Sequence, residues 1–151
     1  MDIVFPYTIS IKLPSDLGVI PAVRKFVSEA LLVSGFGPKF AFRTEIIVDA
    51  ICNNAISYGS EEGEESEVEV ACEVHADRVE VIVKDKGGSE PNIERLRDAI
   101  GRSRIEPAPD ADIGTPGMGL EIVKLLSETI ELNVDSNNLT SIHVVSRRED
   151  G

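Results

Sequence analysis

Apolar and polar residues alternate with period two over five segments of the chain. These are Tyr7, Ile9, Ile11 and Leu13; Val68, Val70, Cys72 and Val74; Val79, Val81 and Val83; Ile130, Leu132 and Val134; and Ile142 with Val144. Each predicts a strand with one buried face. The positions between them, among them Glu67, Glu69, Glu73, Arg78 and Glu80, are polar, so the resulting sheet is wetted on its other face, as antiparallel or mixed sheets usually are. Helical spacing takes over elsewhere. Val23, Phe26, Val27, Ala30 and Leu31 form one stripe, with Pro21 suited to a first helical position and Gly35 to the stop. Ile47, Ala50, Ile51, Asn54, Ala55 and Tyr58 form a second, ending near Gly59 ahead of an acidic loop from Ser60 to Glu65 that has no apolar anchor. A third helix is expected to begin around Gly119 and to run through Leu120, Val123 and Leu126. Each helix has one apolar stripe.

One-sided helices and a one-sided sheet bury their apolar faces together most economically in two layers. The expected fold is therefore α/β, a two-layer α/β sandwich with a mixed, mostly antiparallel sheet and helices on one face. A length of 151 residues suits a single domain over 1–151, because two cores of half that size could hardly each bury enough apolar surface. Between the third and fourth strands, about 86–118, the chain is rich in Gly, Pro and charge, with only a short helical pattern at Ile93, Leu96 and Ile100. A connection of this length is usually functional, and it is expected to form a lid over a ligand.

Composition narrows the function classes. At 42% hydrophobic and 28% charged residues the chain is ordinary for a globular protein. A formal net charge of -12 repels a phosphate backbone, so direct nucleic-acid binding is not expected; a basic or neutral protein partner, or simple solubility, accounts for it. The start of the chain has neither a basic flank nor an apolar run suited to a signal peptide, and no later stretch is long enough for a bilayer. A cytoplasmic protein without membrane partners is expected. Cys52 and Cys72 have neither metal-like nor redox-like spacing and are expected to pack as small apolar side chains. His75 and His143 fall in strand contexts far apart, with no ligand cluster expected around either.

Three features carry candidate chemistry. Extending the alternation of Val79, Val81 and Val83 by two places the carboxylate of Asp85 on the core face, where it needs a partner. Gly87 and Gly88 follow, allowing a tight turn and close approach of a flat ligand; the alternative is that the strand ends at Val83 and Asp85 belongs to an Asp-x-Gly turn. Asn54 lies on or near the apolar stripe of the second helix. Its amide needs hydrogen bonds there, which a local backbone group or a bound ion with phosphates would supply. The run Gly114-Thr115-Pro116-Gly117-Met118-Gly119-Leu120 precedes a helix, where exposed peptide N–H groups can hold phosphate oxygens, although it reads equally as a flexible loop. It is neither a Walker A loop nor the dinucleotide fingerprint.

In this order along the chain, the three features resemble the motif set of the GHKL (Bergerat-fold) ATP-binding superfamily. Asn53-Asn54-Ala55-Ile56-Ser57-Tyr58-Gly59 resembles its N box, Asp85-Lys86-Gly87-Gly88-Ser89 its first glycine box, and Gly117-Met118-Gly119-Leu120 its second. Leu139-Thr140-Ser141-Ile142 resembles the final Gly-Thr strand motif, with Leu139 where the family usually has glycine. The resemblance implies ATP and Mg²⁺ as cofactors. It assigns Asn54 to Mg²⁺ held by the phosphates, Asp85 to the adenine amino group, Gly87 to the adenine environment, Gly117 and Gly119 to the phosphates, and Thr140 to adenine through water. Thr140 shares its strand face with Ile142 and Val144, so its hydroxyl too is expected on the core side.

Within the superfamily, neither histidine sits on the helical hairpin of a histidine kinase, and 151 residues leave no room for the transducer and dimerisation domains of the larger ATPases. The first helix, with Pro21-Ala22-Val23-Arg24-Lys25-Phe26-Val27, looks like the anti-sigma-factor serine/threonine kinase branch. That likeness implies phosphorylation of a serine or threonine on an antagonist protein, sequestration of a sigma factor, and a homodimer. One departure bears on catalysis. The branch normally has Glu four residues before its Asn, and here that position is Ala50. Asp49 is adjacent, but about 100° around the helix; paired with Asn53 it has the right spacing in an alternative register, which makes Asp49 the candidate catalytic residue and Asn53 the alternative metal residue. Glu45, Asp49 and Asn53 also read as one solvated face. Loss of a base leaves slow phosphoryl transfer within reach, since positioning and charge stabilisation dominate that chemistry. An ATP-sensing module that sequesters a regulator without phosphorylating it is the other reading.

Overall fold

The computed structural model describes residues 3–58, 67–85, 94, 97–98, 120–134 and 139–148. Strand β1 (Tyr7–Pro14) leads through a short 3-10 turn (Leu17–Val19) into helix α1 (Ile20–Val33) and helix α2 (Pro38–Tyr58). Strands β2 (Glu67–Val74) and β3 (Arg78–Asp85) follow, then helix α3 (Leu120–Leu126) and strands β4 (Thr129–Val134) and β5 (Thr140–Arg147). The five strands form one sheet in the order β1-β2-β3-β5-β4. Every neighbouring pair is antiparallel. The fold is thus the expected α/β arrangement, with the sheet antiparallel throughout.

The alternation in the sequence decides which face is dry. On β2, β3 and β5 the residues Val68, Val70, Cys72, Val74, Val79, Val81, Val83, Ile142 and Val144 are all buried, while the residues between them are exposed or half-buried. Edge strands β1 and β4 keep the same alternation but are only half covered. Helix α2 lies on the dry face against β2 and β3, with α1 and α3 packed beside it. Its fully buried Ile47, Val48 and Ile51 share one core with Val27 and Leu31 of α1 and with Leu120 and Val123 of α3. Tyr7 links layers, its hydroxyl meeting that of Ser34 beyond the end of α1.

Three boundaries differ from the sequence reading. Helix α2 begins at Pro38, so the stripe starting at Ile47 is only its second half; the first turns are anchored by the stacked rings of Phe36 and Phe40, 4.9 Å apart. Strand β5 extends on both sides of Ile142 and Val144 because Thr140 and Ser146 are buried on the same face. The 3-10 turn was not expected; Asp16 caps it by accepting a hydrogen bond from the Gly18 N–H at 2.8 Å. Gly35 does stop α1, with φ at 95°, a left-handed conformation that suits glycine. Of the expected lid, only Glu94, Arg97 and Asp98 are described, and they are helical and exposed; the rest of that segment, including Ile93, Leu96 and Ile100, lies outside the described residues.

Leu31 is fully buried between the helices, whereas Val33 two residues on is largely exposed. Leu31→Ala is expected to lower unfolding stability by about 2–5 kcal/mol and Val33→Ala to change it by less than about 0.5 kcal/mol, measured by chemical denaturation followed by circular dichroism.

Candidate functional site

Strand β3 carries its alternation one step beyond the valines, so Asp85 falls on the dry face and is only 7% exposed. Thr140 opens β5 on the same face at 2% exposure. The antiparallel register pairs these two residues directly, Asp85 opposite Thr140, next to the apolar pair Val83 and Ile142. A carboxylate and a hydroxyl are thus held side by side at one end of an otherwise apolar sheet face. Such groups are kept out of water only where other polar atoms meet them.

The sheet end also borders a cavity of about 420 Å³ lined by Lys12, Glu67, Glu69, Lys84, Asp85, Asn133, Leu139, Thr140 and Ser141. Lys12, Glu69, Lys84, Ser141 and Asn133 are successive partners across all five strands on the wet face. Alternating charges at paired positions stabilise such a row. Sequence reasoning missed it because a lysine on one strand and a glutamate on another become neighbours only once the register is known. The cavity opens mainly on the face away from the helices, and Asn54 is not in its lining. Strand alternation directs Asp85 and Thr140 to the other side of the sheet, under the helices.

Asn54 lies on the buried face of α2 at 3% exposure. Its Nδ2 donates to the Ala50 carbonyl at 2.9 Å, the local backbone partner considered from the sequence. That bond orients the amide along the helix and engages its nitrogen, whereas a cation would take its oxygen, Oδ1. Gly87, Gly117 and Gly119 lie outside the described residues. Leu120, which follows Gly119 in the sequence, is fully buried as the first residue of α3.

Asp49 and Asn53 occupy the neighbouring face of α2. Arg24 of α1 donates from Nη1 to Asp49 Oδ1 at 3.0 Å, with the two side chains 42% and 38% exposed. Asn53 Nδ2 donates to the Asp49 carbonyl at 2.8 Å and approaches its Oδ2 at 3.4 Å. The candidate acid is therefore tied to a neighbouring helix and to its own helix turn. Burial pushes the thiols of Cys52 and Cys72 up to about 12, with Cys72 and then Asp49 adding to the effect at Cys52. Both behave as the small apolar side chains expected of them.

The histidines require a correction. No ligand cluster was expected near them, yet His75 Nε2 lies 3.2 Å from Glu80 Oε2 and His143 Nε2 lies 2.8 Å from Glu80 Oε1. They converge because the β2–β3 hairpin brings His75 beside Glu80 and the β3–β5 ladder brings the distant His143 to the same patch of the wet face.

Residues 13–144 match the family model described as histidine kinase-like ATPase domain. The chain is 27% identical over 143 residues to the serine-protein kinase RsbW of Bacillus pumilus, covering 93% of this chain and 87% of that protein. It is 26% identical over 95 residues to the anti-sigma F factor of Clostridium beijerinckii, covering 63% of this chain and 62% of that protein. Among solved structures, the RsbU and RsbW domains of Rv1364c from Mycobacterium tuberculosis align with a TM-score of 0.63 at 14% identity, over 96% of this chain. This chain spans only 33% of that longer one, and at such identity the likeness is one of fold. Among the described residues, no helix is long and apolar enough to cross a membrane.

The Arg24–Asp49 pair is partly exposed, so solvent screens it. A double-mutant cycle with Arg24→Ala and Asp49→Ala is expected to return a coupling of about 0.2–1 kcal/mol in unfolding stability; a coupling several times larger would mark Asp49 as more deeply committed to the α1–α2 packing than its exposure indicates.

Proposed function

The chain belongs to the histidine kinase-like ATPase domain family, and from that premise we propose that it is an ATP-binding anti-sigma regulatory factor which phosphorylates a serine or threonine of an antagonist protein and sequesters a sigma factor. The observation that carries the proposal is the buried pair Asp85 and Thr140, in register at the end of β3 and β5. A carboxylate accepts hydrogen bonds, and the adenine amino group donates them. The Thr140 hydroxyl both donates and accepts, so it can serve a ring nitrogen through water. The flat faces of the base would lie against apolar side chains while its polar edge meets Asp85 and Thr140.

Around this pair the proposal assigns the remaining residues. Asn54 offers an amide oxygen suited to Mg²⁺, Gly87 the space beside the base, and Gly117 with Gly119 the peptide N–H groups for the phosphates. When bound, ATP supplies the phosphoryl group and Mg²⁺ neutralises the charge that develops on its oxygens. The chain's own contribution is to position that group and to keep the base dry. The similarity to the serine-protein kinase RsbW and to anti-sigma F factor supports the kinase and anti-sigma parts of the reading, and a cytoplasmic homodimer engaging the antagonist and the sigma factor in turn completes it.

A second reading rests on the α2 geometry. Position 50 is alanine, and the adjacent Asp49 is held by Arg24. With no carboxylate one turn before Asn54, a non-catalytic ATP-sensing module that sequesters its regulator would keep the nucleotide site and dispense with transfer. Labelled ATP, Mg²⁺ and the cognate antagonist separate the two readings. Phosphoserine or phosphothreonine above background supports the kinase, while retained ATP binding with no transfer supports the module.

Mg-ATP at a hundredfold excess over its Kd is expected to stabilise the fold by about 2.7 kcal/mol, a rise in Tm of about 5–10 °C for a chain of this size. Asp85→Asn and Asn54→Ala are each expected to remove most of that rise in a thermal-shift assay. An unmodified protein that shows none would refute the nucleotide site.

A further inference from the structure

On the wet face, at the end of the sheet away from Asp85, the β2–β3 hairpin gathers Glu73, His75 and Glu80. Glu73 and Glu80 are direct cross-strand partners. Two carboxylates in that relation repel each other. His75 sits two residues beyond Glu73 on the same face, its Nε2 3.2 Å from Glu80 Oε2 and 3.9 Å from Glu73 Oε1. One ligand atom from each of the three falls within 4.8 Å of the others. The His75 side chain is only 18% exposed, and its Nε2 is buried without a hydrogen-bond partner, even though Glu80 lies at 3.2 Å. A buried ring nitrogen facing one carboxylate without forming a hydrogen bond to it, and a second just beyond hydrogen-bond reach, is an arrangement that a bound cation resolves.

We infer that Glu73, His75 and Glu80 form a binding site for a first-row divalent cation of the Zn²⁺ class, separate from the nucleotide site. One imidazole nitrogen and two carboxylate oxygens are a ligand set that Zn²⁺ accepts, with the fourth position left to water. The edges of a tetrahedron with Zn–N and Zn–O near 2.0 Å are about 3.3 Å, close to the 3.2 Å between His75 Nε2 and Glu80 Oε2. The longer 3.9 Å separation from Glu73 closes by rotating one half-exposed side chain.

The surroundings hold Glu80 ready as a ligand. His143 meets its Oε1 at 2.8 Å, and Arg78 Nε donates to its Oε2 at 3.1 Å. A carboxylate has about four lone-pair sites, so Arg78 and the cation can share it. His143 acts as the outer partner that orients a ligating group. An imidazole in the set selects Zn²⁺ over Mg²⁺ and Ca²⁺, which favour oxygen alone. The thiols of Cys52 and Cys72, buried and raised to about 12, do not compete. Glu80 precedes Asp85 by five residues along β3, about 17 Å at strand rise and on the opposite face. The site would clamp the hairpin without touching the nucleotide.

Calorimetric titration of the full chain with Zn²⁺, in a large excess of Mg²⁺, is expected to give one saturable Zn²⁺ per chain. His75→Ala and Glu80→Gln should each weaken that binding at least tenfold while leaving the rise in Tm produced by Mg-ATP unchanged. In the wild-type protein, nitrogen NMR of the histidine rings should show Zn²⁺ moving the His75 Nε2 resonance, a readout independent of whether any variant folds. Saturable binding that survives His75→Ala, an unmoved His75 resonance, or no binding at all would overturn the inference.

Discussion

The antiparallel register of β3 on β5 is the constraint on which the rest of this structure turns. It sets Asp85 opposite Thr140, one step beyond Val83 opposite Ile142 and two beyond Val81 opposite Val144. A slip of one residue in either strand would turn its buried set to water and its polar set to the core. The apolar pairs therefore enforce the position of the polar pair: burial of the valines and isoleucine makes any other alignment costly, and the acid and hydroxyl are carried into the dry layer as a consequence. Stability and candidate chemistry share one device here.

Much of this was legible in the chain before any coordinates. Period-two alternation located all five strands, because one face of each is covered and the other wet, and the helical stripes located α1, α2 and α3. Asp85 and Asn54 stood out as polar residues on apolar faces, and both are buried. Periodicity is silent on pairing, however. The Lys12, Glu69, Lys84 row and the meeting of His75 and His143 at Glu80 depend on which strands are neighbours and in what alignment, information that no single segment contains. The first half of α2 escaped for a different reason. Its anchors, Phe36 and Phe40, are aromatic residues astride the helix start, where the repeat is too short to show a period.

The helix face beside Asn54 bears on the balance between a kinase and a binding module. Ala50 contributes its carbonyl to Asn54 and no side-chain carboxylate. Asp49 points to the neighbouring face, where Arg24 and Asn53 engage it. Bringing that carboxylate round to the buried face would require rotating α2 by about 100°, against a core that includes Ile47, Val48 and Ile51. Packing thus holds Asp49 on the α1 side.

The wet face and the dry face of one sheet therefore carry two distinct polar constellations, one at each end of β3. The most direct test of the central claim is a two-dimensional amide NMR spectrum of the protein titrated with ATP and Mg²⁺. The account predicts that the largest shifts fall on Asp85, Thr140 and Asn54, with the amides around His75 unmoved. Shifts clustered on the hairpin, or on the open face around Lys12 and Glu69 with Asp85 and Thr140 unchanged, would contradict it.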